Sequence, residues 1–157
     1  MKAPKEIEDK LLGKEFHHIV LARCFGEIIL EYWHFKVAKV YSKTTRVKTI
    51  TEVGAGFCTA LNTKDLLEGE KQYYYPSLEA GLTPIRKFLP DLITKYKKDL
   101  EGYTDKHPDY KYYQFCIGLM ERYNILVNDY SIEKHEAVQK QNFEGYKALG
   151  AGRHRHR

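Results

Sequence analysis

A chain of 157 residues, 43% apolar and 13% aromatic, is long enough to bury one core and too apolar to be disordered. Its net charge of +5 is unevenly placed: residues 35–48 carry Lys36, Lys39, Lys43, Arg46 and Lys48 with no acid, and the last eight residues carry Arg153, Arg155 and Arg157. Three scattered cysteines, Cys24, Cys58 and Cys116, argue against a disulfide scaffold or a zinc site and for free thiols in a reducing, intracellular compartment.

Met1 to Asp9 has no apolar core and includes Glu6, Glu8 and Asp9, so it does not read as a secretory signal; import into an organelle by an internal signal stays open. Residues 4–12 predict a short helix, with Pro4 suited to its first turn, Ile7 and Leu11 as its apolar stripe and Gly13 as its stop.

Phe16 to Tyr41 is the longest periodic segment. Leu21, Cys24, Phe25, Ile28, Tyr32 and Phe35 follow the three-and-four spacing of a helical face, and Ile29, Leu30, Trp33, Val37 and Val40 extend it nearly all round. Arg23, Glu27, Glu31 and His34 are the polar remainder, too many for a lone membrane span. The expectation is a buried hub helix. Glu15-x-x-His18 and Glu31-x-x-His34 imitate the pairs of di-iron bundles, which need such pairs on facing helices. Glu27, Glu31 and His34 are thus weak metal candidates. An ion-pairing seam is the simpler reading, and no metal or other cofactor is expected.

Trp33, Phe35 and Tyr41 interleave the basic block 35–48. Cations mixed with aromatics suit a phosphate backbone, while a solvated face whose rings point inward suits the same residues. Val47, Thr49, Thr51 and Val53 favour a strand, and Phe35–Tyr41 could be its hairpin partner across Ser42–Thr45; helical spacing also fits. Gly54-Ala-Gly56 lacks the rest of any nucleotide-binding motif.

Within 57–70 a short helix is expected, capped by Asn62 or Thr63 and anchored by Leu66 and Leu67. Tyr73-Tyr74-Tyr75 before Pro76 should be extended. Pro84 opens a further helix that Pro90 kinks or splits, and Gly102 ends it. Residues 110–130 give the cleanest amphipathic helix, with Tyr112, Cys116, Leu119, Met120, Tyr123, Leu126, Val127 and Tyr130 on one face. Ser131 caps a last, more polar helix anchored by Val138, Tyr146 and Leu149. The alternating His/Arg tail cannot pack, whether native or a remnant of expression.

These pieces predict a mainly α fold: a single-domain bundle of four to five helices over residues 1–152 with a basic tail at 153–157. A short hairpin near 35–53, making the fold α+β, is the alternative. Three functions fit. The first is a non-catalytic subunit of a larger intracellular assembly with protein partners, suggested by the tyrosine-rich composition and the hub. The second is a protein binding RNA or DNA, viral or ribonucleoprotein-like, through residues 35–48 and the tail. The third is a small metal-dependent nuclease or oxidase built on Glu27, Glu31 and His34.

Overall fold

The computed structural model describes residues 1–24, 27–53 and 59–149. In chain order the elements are α1 (Lys5–Leu11), β1 (Glu15–Cys24), β2 (Glu27–Val40), β3 (Thr44–Val53), β4 (Ala60–Asn62), α2 (Thr63–Glu68), a 3-10 turn (Gly69–Gln72), β5 (Tyr74–Tyr75), α3 (Leu78–Glu101), α4 (Tyr110–Asn128) and α5 (Ile132–Ala148). The strands form one antiparallel sheet in the order β4-β3-β2-β1-β5. The fold is therefore α+β, and the mainly α bundle expected from the sequence is corrected.

The error lies in the hub. Phe16–Tyr41 is not a helix but strands β1 and β2. Burial along β2 explains the misreading. Ile28, Leu30 and Tyr32 are buried at even positions, then Trp33, Phe35 and Val37 at odd ones. Successive strand residues point to opposite faces, so β2 buries one face at its start and the other further on. A strand covered on alternate faces in its two halves looks apolar all round, like a buried helix.

Two β-bulges refine the β2–β3 register. His34 pairs with Thr51 and Phe35 with Thr49, leaving Ile50 as the extra residue on β3. Val37 pairs with Val47 and Lys39 with Arg46, leaving Ala38 extra on β2. The second bulge restores Val40 to the face of Phe35 and Val37, and all three are buried.

The chain divides into two compact units, residues 1–20 with 31–83, and residues 21–30 with 84–157. In the first, Ala3, Leu11, Trp33, Phe35, Val37, Val40, Val47 and Leu66 form the core, with Ile7, Phe16, Leu61 and Tyr74 packed against it. α1 and α2 each seat one buried leucine there. α2 starts as expected, with the Asn62 side chain accepting from the Lys64 amide at 2.9 Å. Buried Thr45 and Thr63 share a 2.8 Å hydrogen bond, and the Thr63 hydroxyl lies 2.8 Å from the Tyr41 carbonyl, fixing the β2–β3 turn to α2. At the other face of β1, Ile19 and Tyr75 meet the first turns of α3. A Cβ on Gly81 would lie 2.4 Å from Ile19 Cδ1, so this approach requires glycine.

α3 begins at Leu78, ahead of the predicted start at Pro84, because Ser77 caps it: the Ala80 amide donates to Ser77 Oγ at 3.1 Å. The helix runs continuously past both Pro84 and Pro90.

In the second unit, Cys116, Leu119, Met120, Tyr123, Leu126 and Val127 of α4 are buried, as the helical pattern predicts. Cys116 is a free thiol; Cys58 and the side chain of Cys24 lie outside the described residues, as does the tail. Arg122 Nε donates to Asn142 Oδ1 at 2.9 Å, and Asn142 Nδ2 donates to the Tyr123 hydroxyl at 3.0 Å. Ser131 caps α5 by accepting from the Lys134 amide at 3.1 Å. His135 of α5 is fully buried, and burial pushes its imidazole down to about 4. Among the described residues, no helix is long and apolar enough to cross a membrane.

Candidate nucleic-acid interface

Strand alternation sorts the basic block. With Phe35, Val37 and Val40 turned into the core, Lys36 and Lys39 are exposed on the opposite face of β2. On β3, buried Thr45 and Val47 leave Arg46 and Lys48 exposed. The register then sets Lys36 directly across from Lys48, and Lys39 across from Arg46. Cross-strand neighbours have Cβ atoms about 5 Å apart, and like charges so placed destabilise a sheet. Among the described residues, no carboxylate lies within ion-pairing distance of Lys36, Lys39, Lys43, Arg46 or Lys48.

Tyr41 sits at the end of this face. Lys39 Nζ lies 5.3 Å and Arg46 Cζ 5.8 Å from its ring centroid, both cation–π distances. Lys43 is exposed in the turn, beside a shallow hollow it lines with Met1, Tyr41, Ser42 and Thr44. Trp33 and Phe35 are buried on the core side, with ring centroids 4.4 Å apart, so they cannot stack on nucleic-acid bases. The interleaved aromatics serve the core, and Tyr41 is the ring left beside the cations.

Toward β1 the same face carries a linked set of polar side chains. His34 Nε2 donates to Glu15 Oε1 at 2.8 Å. The His34 and His17 rings stack with centroids 4.0 Å apart and planes 16° apart. His17 Nδ1 is hydrogen-bonded to the Tyr32 hydroxyl at 3.2 Å. Burial holds the His17 imidazole below its ordinary range, His34 beside it lowers it further, and Glu15 opposes both. Burial raises the Tyr32 phenol.

The weak metal set does not assemble as proposed. Glu31 and His34 are three residues apart, which is one face of a helix but opposite faces of a strand. His34 takes Glu15 of β1 as its carboxylate instead. The Glu27 side chain lies outside the described residues, and among those described no three His, Cys, Asp or Glu side chains could share a metal. Of the expected anion contacts, Lys36, Lys39, Arg46 and Lys48 are brought together and Lys43 is placed at their end. Arg153, Arg155 and Arg157 lie outside the described residues. Sequence reading missed the Glu15–His34 pair and the His17–His34 stack. The alternation Glu15-x-His17 and Tyr32-x-His34-x-Lys36 was the signal, legible once these segments are taken as strands.

No protein-family model matches the chain, and no curated protein or solved structure matches it either.

Proposed function

We propose that this protein binds nucleic acid through the phosphate backbone, using the open face of the β2–β3 hairpin. One observation carries the reading: two like-charged cross-strand pairs, Lys36 with Lys48 and Lys39 with Arg46, stand together with no acid within ion-pairing distance among the described residues. Such a ladder costs stability and gains it back from a polyanion, whose condensed counterions are released on contact. With Trp33 and Phe35 turned away, recognition is of backbone charge rather than of base identity.

Binding to a generic DNA duplex should weaken steeply with salt, with a log–log slope of several units. Lys36→Ala, Lys39→Ala and Arg46→Ala should each lower that slope by about one. An Arg153→Ala/Arg155→Ala/Arg157→Ala chain must be measured in parallel. Binding that vanishes with the tail arginines and ignores Lys36, Lys39 and Arg46 removes the folded face from the reading. Binding to anionic vesicles without binding to duplex or single strands would assign the face to a membrane surface instead.

A second reading, a non-catalytic subunit of a larger assembly, is supported by the apolar surface of the helical unit. Ile125 of α4 is 73% exposed, and Phe143 and Ile132 of α5 are also exposed. Association of the isolated chain in size-exclusion chromatography, lost on Ile125→Ser, would support it.

A further inference from the structure

The histidine pair lies on the proposed binding face but is not needed for a fixed array of cations. We propose that the His17–His34 stack is the proton-linked end of this face, and that it takes up a proton when a nucleic-acid phosphate seats against it. The inference rests on the reading of the Lys/Arg ladder as a phosphate-binding surface and assigns that surface a pH dependence.

The geometry supplies the coupling. His34 stands two residues before Lys36 on β2, so both point to the same face, roughly 7 Å apart along the strand. Lys48 is directly across from Lys36. A phosphate held by Lys36 and Lys48 is therefore a close neighbour of the imidazole pair. Two rings 4.0 Å apart cannot both be charged without strong mutual repulsion. One positive charge on the pair is matched by Glu15, hydrogen-bonded to His34. A second needs an anion from outside the protein.

The groups around His17 permit that response. His34 and Glu15 are the charged groups that act on it, with opposite signs. Tyr32 on β2 is hydrogen-bonded to it, and Tyr75 on β5 pairs with it in register; burial raises both phenols, so they stay neutral. The first turns of α3 bring Glu79 as their ionisable residue. His17 is thus held neutral by its surroundings and half-buried rather than sealed, so a bound phosphate can draw a proton onto it. Glu15 itself opposes an approaching anion, so the unprotonated pair weakens binding and the protonated pair strengthens it.

The test is calorimetric titration of the full chain, carrying His154→Gln and His156→Gln to remove the tail imidazoles, with a short random-sequence DNA duplex. Measurements at about pH 8 and about pH 5.5 span the histidine range. At each pH, buffers of different ionisation enthalpy count the protons taken up. The expected result is binding at the higher pH, tighter binding at the lower, and an uptake approaching about one proton per protein bound as pH falls through the histidine range. His17→Gln should abolish the uptake. Binding at both pH values with no change in affinity and no uptake overturns this inference and leaves the ladder reading intact. Uptake that persists in His17→Gln also overturns it, since the proton then goes elsewhere. Absence of binding at both pH values overturns the ladder reading and this one with it. Should His17→Gln fail to fold, absence of uptake on the chain with His17 intact still overturns the inference, and His34→Gln takes the place of His17→Gln: uptake unchanged without the partner ring and its link to Glu15 places the proton outside the stack and overturns it.

Discussion

The β2–β3 ribbon has two faces made from alternate residues of the same two strands, and they are built to different ends. One presents Trp33, Phe35, Val37, Val40 and Val47 to a core shared with Leu11 of α1 and Leu66 of α2. The other presents His34, hydrogen-bonded to Glu15, together with Lys36, Lys39, Arg46 and Lys48, which are exposed and have no acid within ion-pairing distance among the described residues. The apolar face stabilises the unit by removing side chains from water. The basic face works against stability through like-charge proximity. Changes on the two faces should therefore separate cleanly, one set altering folding and the other altering binding.

The sharpest break is Phe35→Ala. Phe35 is fully buried in the core of the first unit, and its truncation should cost about 3–5 kcal/mol in urea unfolding. A loss well below about 1 kcal/mol would mean that this face is not what holds the sheet unit together. Leu119→Ala asks the same of the helical unit, where Leu119 is buried on α4, with an expected loss of about 2–5 kcal/mol.

His135 gives the next effect. Its imidazole is held down to about 4 in the folded chain, against an ordinary value near 6.5, so the unfolded chain binds its proton first as pH falls. The resulting stability is fully present above about pH 6.5 and is lost progressively down to about pH 4, a decrease on the order of 3 kcal/mol. His17 and His18, also lowered by burial, add to the same trend. Denaturant midpoints followed from pH 7 to pH 4 should fall, and His135→Gln should flatten much of that fall. An unchanged slope would place the acid sensitivity elsewhere.

The smallest expected effect bears most directly on the contrast between the faces. Lys36→Glu replaces a like-charged pair with an opposite-charged one across from Lys48. It should raise stability by about 0.2–1 kcal/mol while weakening duplex binding. A variant that loses both would show that the basic face contributes to folding and would blur the separation.

Where the chain is covered on one side, its pattern spoke plainly. α4 buries one stripe, and Cys116, Leu119, Met120, Tyr123, Leu126 and Val127 were legible as that stripe. α1, α2 and α5 announced themselves by Pro4, Asn62 and Ser131 at their starts. β2 was illegible because its covered face changes between Tyr32 and Trp33, so no single period describes it. The hairpin at 35–53 could be read only as an alternative, since its two bulges break the alternation that would have identified it. The basic residues were legible as a set from charge alone. The pairings that make them a ladder, and the Glu15–His34 link between strands, depend on register, which a local pattern does not carry.

The bulge at Ala38 makes this one position of β2 tolerant of a change in length as well as in identity. Ala38 is exposed, and Ala38→Ser or Ala38→Gln should be well tolerated. Deleting it would remove the residue that shifts the register between Val37 and Lys39. Counting on from Val37, Lys39 would still face out and Val40 in, and the pairs Val37–Val47, Lys39–Arg46 and Val40–Thr45 would run on as a regular ladder. Adding residues to the turn at 41–43 leaves the parity of both strands as it is. Among variants of this hairpin that keep the fold, insertions should therefore gather at the turn and one-residue gaps at 38, since neither changes which residues face the core.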